Sequence, residues 1–162
     1  MVKKRILSPS LTLISGTRFP YRSEKKSSHR YEVTIGIGGN VGDVLRRFNH
    51  LFFKLKSDKR VEVLRTGPVL KNPPFGYLEQ KDFLNSVIVL ATSMQPREFL
   101  SYLMRTEKKF SRKRSFANAP RTLDLDILFF DERVVKTKTL QIPHPEWKKR
   151  ESVIIPLSSV CR

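Results

Sequence analysis

"RTLDLDILFF", residues 121–130, decides how the chain is read. Leu123, Leu125 and Ile127 alternate with Asp124 and Asp126, and Leu128, Phe129 and Phe130 complete an apolar run. Alternation with a period of two predicts a half-buried β-strand. On a strand, residues i and i+2 share a face and lie ~7 Å apart. Asp124 and Asp126 therefore point one way, and Leu123, Leu125 and Ile127 the other.

Working outward from this strand gives the order of elements. The preceding stretch, "SRKRSFANAP" (111–120), has no apolar period and reads as a loop. Before it, Pro96 suits a first helical turn, and Phe99, Leu100, Leu103, Met104 and Phe110 form the apolar stripe of a helix. "FLNSVIVLAT" (83–92) is another strand, and "NPPFG" (72–76) breaks regular structure. "RVEVLRTGPVL" (60–70) alternates over its first half and reads as a strand. Val44, Leu45, Phe48, Leu51, Phe52 and Leu55 recur at helical spacing behind Asp43, a suitable cap. "YEVTIGIGG" (31–39) is a β-branched strand that ends in glycines. Downstream, "ERVVKTKTLQIPHP" (132–145) reads as a hairpin or a pair of short strands, followed by a short helix and "SVIIPL" (152–157).

The order β-α-β-β-α-β, with additions, predicts an α+β fold. It is a ferredoxin-like antiparallel sheet with the helices packed on one face. Fold alone says little about function.

Composition narrows the partners. The chain has 162 residues, 32 Lys plus Arg against 15 Asp plus Glu, and a formal net charge of +17. Such a surface attracts polyanions, which include nucleic acid, anionic membrane and nucleotide phosphates. No apolar run is long enough to span a bilayer. The single cysteine, Cys161, cannot form an internal disulfide, so a reducing cytoplasm is the expected location. Residues 1–30 are basic and serine-rich, with Glu24 as their one acid. They read as an N-terminal extension, poorly ordered or docked on the surface, ahead of a domain at 31–162.

The paired aspartates carry the chemistry. Two like charges that close repel unless a cation lies between them. Mg2+ takes oxygen ligands, often one or two carboxylates plus substrate phosphates. From D-x-D alone, a strand with a solvated second face is the stronger reading. The neighbours change that balance: Arg121 precedes the pair, and Arg112, Lys113 and Arg114 lie in the loop before it. Metal-binding acids beside guanidinium groups suit phosphoryl transfer, where the work is positioning and neutralising charge. Gly36, Gly38, Gly39 and Gly42 match neither G-x-G-x-x-G nor a GK[ST] loop, and read as a tight strand-to-helix turn. Phe75 and Phe83 could flank a flat ring, and Asn85 can both donate and accept hydrogen bonds.

Taken together, "IGIGGNVGD", "NPPFG" with "DFLN", "PRTLDLDILFF" and "IPHP" with Arg150 resemble the 6-hydroxymethyl-7,8-dihydropterin pyrophosphokinase family of folate synthesis. The likeness runs from about residue 31 to about 157. It implies transfer of the β,γ-diphosphate of ATP to the hydroxymethyl oxygen of the pterin, leaving AMP. By match, Asp124 and Asp126 hold two Mg2+ ions, and Arg112 and Arg121 stabilise the transferring group. Glu107, Arg114, Arg121, Ile127, His144 and Arg150 contact ATP. Asn72, Pro73, Pro74, Phe75, Phe83, Asn85 and Asp124 bind the pterin. A monomer is expected, with no nucleic acid and no membrane among its partners.

The chain departs from the family pattern at Asn118, Ala119, Thr139 and Ser152. Ser152 stands where an aromatic is usual. A non-enzymatic RNA-binding module is the rival from another class, since it too uses a ferredoxin-like sheet with a basic surface. It leaves Asp124 and Asp126 unexplained and lacks stacking aromatics in K/R-G-F/Y-type runs. A catalytically weak relative is a third possibility.

Overall fold

In the computed structural model, residues 2–110 and 120–160 are described. The centre is β4 (Tyr31–Gly39), paired along its whole length with β7 (Phe83–Thr92) and on its other side with β8 (Asp124–Phe130). β5 (Val61–Thr66) pairs with the far edge of β7. All these pairings are antiparallel, and the order β8-β4-β7-β5 is that of a ferredoxin-like sheet. The α+β class expected from the sequence is the class observed.

Two helices cover one face of this sheet. α1 (Val44–Ser57) begins where the Asp43 side chain accepts a hydrogen bond from the backbone N–H of Arg46. Capping satisfies one of the orphan donors of the first turn. Its Phe48, Leu51, Phe52 and Leu55 are fully buried. Full burial of such a side chain contributes about 1.5–3 kcal/mol. α2 (Pro96–Lys109) has its proline at the start of the helix, as expected, and buries Phe99, Tyr102 and Leu103. Both helices pack on Val33, Ile35, Ile37, Ile88, Leu90, Leu123, Leu125 and Ile127 in one continuous core. No helix among the described residues is long and apolar enough to cross a membrane.

Four features differ from the sequence reading. First, the stretch read as one strand at 60–70 is two. It breaks at Gly67–Pro68, and β6 (Val69–Asn72) continues along the same edge of β7. Pro68 has no N–H for a ladder, and the Ser86 hydroxyl donates instead to the carbonyls of Gly67 and Pro68, at 3.0 and 2.9 Å.

Second, three strands between residues 3 and 22 join the sheet. β1 (Lys3–Ser8) and β2 (Leu11–Ser15) form a hairpin whose second strand pairs with β6. β3 (Tyr21–Arg22) pairs with β5. Phe19 and Ile14 reach the main core, which anchors this segment.

Third, not all helices share one face. After the hairpin of β9 (Val135–Lys136) and β10 (Gln141–Ile142), a 3-10 turn (Trp147–Lys149) leads into α3 (Glu151–Ser158). α3 packs on the opposite face, with Leu157 against Val87, Val89 and Leu128. It comes so close that a Cβ at Gly67 would lie 2.7 Å from the Pro156 carbonyl oxygen.

Fourth, Gly36, Gly38 and Gly39 are not in a turn. They lie inside β4, and only Gly42, at φ 71°, occupies the turn before α1.

Candidate active site

The face of the sheet that carries α3 also carries a cavity, and the strand register explains why it exists. Asn85 on β7 pairs with Gly38 on β4, and Gly38 pairs with Asp124 on β8. One step along, Val87, Gly36 and Asp126 form the next row. Paired residues share a face, so two glycines separate the amide of Asn85 from the two carboxylates. With no side chain at 36 or 38 the floor is bare backbone, and Gly36, Gly38, Asn85, Asp124 and Asp126 all line the cavity. The alternation in "IGIG" (35–38) was the signal: Ile35 and Ile37 fill the core side while the glycines clear the other.

Asp124 and Asp126 lie side by side on this face, as the period of two required. Arg121 Nη1 donates to Asp124 Oδ2 at 3.0 Å, with both side chains about four-fifths shielded from solvent. The same guanidinium sits 5.5 Å from the ring centroid of Phe83. The backbone of Arg121 is fixed by Asn40, whose N–H donates to the Arg121 carbonyl at 3.0 Å and whose Oδ1 accepts from the Arg121 N–H at 2.9 Å. Asn40 Nδ2 also donates to Gln80 Oε1 and to the Lys81 carbonyl. One buried asparagine thus ties the segment ahead of β8 to the loop after "NPPFG".

His144 and Arg150 also line the cavity, with Ser152 and Val153 of α3. The His144 pKa is held below its ordinary value, first by burial and then by the nearby charge of Arg150. The Glu146 N–H donates to His144 Nδ1 at 3.1 Å, so the neutral ring carries its proton on Nε2. Arg150 stacks over Phe75, 5.9 Å from its centroid, and Phe75 is 56% exposed at the rim.

The cavity therefore gathers Asn72, Phe75, Phe83, Asn85, Arg121, Asp124, Asp126, His144 and Arg150, residues drawn from segments up to 78 positions apart. Pro73 and Pro74 lie in the loop that follows β6, beside Phe75. Two expected ATP contacts have other surroundings. Ile127 is buried in the core under α1 and α2. Glu107 is buried on α2, where its Oε2 accepts from the Leu125 N–H at 2.7 Å. Arg112 and Arg114 lie outside the described residues. Gly36, Gly38, Ser86 and Leu128 line the cavity without having been marked as site residues from the sequence.

Comparison with known proteins gives the family. The family model described as 7,8-dihydro-6-hydroxymethylpterin-pyrophosphokinase matches residues 34–162. The chain belongs to this pyrophosphokinase family. It is 44% identical to the 2-amino-4-hydroxy-6-hydroxymethyldihydropteridine pyrophosphokinase of Campylobacter jejuni over 142 residues, 88% of this chain and 90% of that protein. The protein of the same name from Helicobacter pylori is 34% identical over 148 residues, 90% of this chain and 91% of the relative. That from Aquifex aeolicus is 35% identical, covering 79% of each. Pyrophosphokinase activity in folate biosynthesis comes with the family, as does the general use of Mg2+ with ATP.

Proposed function

We propose that this cavity is where the chain transfers the β,γ-diphosphate of ATP to the hydroxymethyl oxygen of 6-hydroxymethyl-7,8-dihydropterin. The bond from that oxygen to the β-phosphorus forms as the bond from the β-phosphorus to the α,β-bridging oxygen breaks. AMP leaves, and the hydroxyl proton is released. The observation that carries the reading is the cross-strand row Asn85–Gly38–Asp124, which puts a ring-reading amide and a carboxylate on one open floor.

The lining offers groups for both substrates. Phe83 and Phe75 offer flat apolar surface, and Asn72 and Asn85 offer amides, which match a flat heterocycle with polar edges. Arg121, His144 and Arg150 offer cationic or N–H groups to phosphates. Asp124 and Asp126 present hard oxygen donors side by side, the donor set Mg2+ prefers, and substrate oxygens complete such a shell. They are the residues that would hold two Mg2+ ions, whose chemistry is to polarise the phosphoryl oxygens and neutralise their charge. In this proposal Arg121, which pairs with Asp124, stabilises charge on the transferring group, with Arg112 as its partner. Arg114 completes the ATP contacts in this proposal and Pro73 and Pro74 those of the pterin, while Glu107 and Ile127 support β8 from the core side. The protein acts as a monomer in a reducing cytoplasm.

The test is incubation of the purified protein with ATP, Mg2+ and the pterin, followed by separation of the nucleotides. AMP formed only in the presence of pterin is the expected result. ADP would indicate an ordinary kinase. No turnover by folded protein would refute the assignment.

A further inference from the structure

Asn72 and Asn85 form a relay of two amides on one side of the cavity. Its starting point is the carbonyl of Pro73, which can only accept a hydrogen bond. It accepts from Asn72 Nδ2 at 2.9 Å. That contact turns Asn72 Oδ1 toward Asn85, whose Nδ2 donates to it at 2.7 Å. A primary amide cannot turn one end without the other. Asn85 Oδ1 is therefore directed to the opposite side, where it lies over Gly38, and a Cβ at position 38 would collide with that oxygen.

The consequence is chemical. Asn85 retains one N–H and its Oδ1 beside the cavity floor, a donor and an acceptor held in fixed order. That order complements the lactam edge of a flat heterocycle, where a C=O and an N–H are adjacent. An Asn85 amide turned by half a rotation would meet the same edge donor to donor. Asn72 itself is 5% exposed, and β6 holds it opposite Phe83 in the ladder.

We propose that Asn72 is a positioning residue that sets the orientation of the Asn85 amide, and so the hydrogen-bond polarity with which the cavity reads the pterin ring. This rests on the assignment of the cavity as the pterin site.

The experiment is a double-mutant cycle on the full chain, read by steady-state kinetics with ATP, Mg2+ and 6-hydroxymethyl-7,8-dihydropterin. Asn72→Ala should raise KM for the pterin about tenfold, the scale of one well-placed hydrogen bond. KM for ATP and kcat should stay within about twofold. On the Asn85→Ala background the same change should cost nothing further, because Asn72 acts through Asn85. Asn72→Ser, whose hydroxyl can accept from Asn85 while donating to Pro73, should recover part of the loss. Gly38→Ala should reproduce the pterin-specific loss from the other side of the amide, and it serves if Asn72→Ala does not fold. An equal penalty from Asn72→Ala with and without Asn85 would overturn the proposal. Unchanged pterin affinity in Asn85→Ala would instead overturn the pterin-site assignment, and the proposal with it.

Discussion

Arg121 and Asp124 are joined three residues apart, Nη1 to Oδ2 at 3.0 Å, while the Arg121 guanidinium also lies over the ring of Phe83. One cation thus touches both a carboxylate and an aromatic ring that line the cavity. Arg121→Ala should lower kcat by about 100- to 1,000-fold, the scale for losing one charge-stabilising donor. The melting temperature should fall as well, since the pair is about four-fifths shielded from solvent. Single-turnover kinetics provide the check: a loss confined to nucleotide affinity would contradict a transition-state role.

Asp126 shares the face of Asp124 and borders the bare floor at Gly36. Asp126→Ala should abolish detectable turnover while leaving the circular dichroism spectrum and the melt near those of the parent. Chelation of divalent cations should have the same effect on the parent protein, reversed by adding Mg2+. Full activity of the variant in Mg2+ would sink the metal-holding role.

His144 supplies a pH dependence. Its folded pKa is lowered by burial and by Arg150, whereas the unfolded imidazole titrates near 6.5. The unfolded chain therefore binds the proton more readily. The associated stability is present above about pH 6.5 and is lost as pH falls through the lowered folded value. Protonation of Nδ1 would also break the bond from the Glu146 N–H. Denaturant titrations should show a fall in stability on acidification below pH 6.5 that His144→Gln reduces.

Away from the cavity, Asp58 follows α1 and accepts from the backbone N–H and both side-chain donors of Arg60 and from the Tyr102 hydroxyl. These contacts, Arg60's first, hold its carboxyl well below the usual range. Asp58→Ala leaves the hydroxyl of a buried tyrosine without this acceptor and should cost about 1–3 kcal/mol. The difference between variant and parent should shrink as pH falls below the ordinary carboxylate range, because the parent then loses the same charge. Turnover of the folded variant should be unchanged.

Gly67 tests the coupling between fold and site. Its missing Cβ makes room for the Pro156 carbonyl and for Val87 Cγ2, which would lie at 2.7 and 3.2 Å. Gly67→Ala should destabilise the protein by about 1–3 kcal/mol through overpacking. It should also raise KM for both substrates, because α3 carries Ser152 and Val153 into the cavity and follows directly on Arg150. Thermal melts and substrate titrations measure the two effects.

Much of the scaffold could be read along the chain because its signals are local. The 31–39 and 83–92 strands, the helices at 44–57 and 96–109, the Asp43 cap and the hairpin after 130 follow from apolar periods and capping chemistry. Alternation in "LDLDI" by itself put both carboxylates on one face.

Other features depend on contacts between distant segments. "KKRILS" carries no buried stripe of its own and becomes a strand only because β2 finds β6. "SVIIPL" has apolar residues but no period that says which face of the sheet it covers. The space at Gly67 and the valines of β7 decide that. The glycines of β4 look like a turn until the register sets Gly38 between Asn85 and Asp124. The sequence alone determined which residues could do the chemistry and which way they point from their own strands. Only the tertiary pairing decided which of them meet, because strand register is fixed by burial summed over the whole sheet rather than by any one segment.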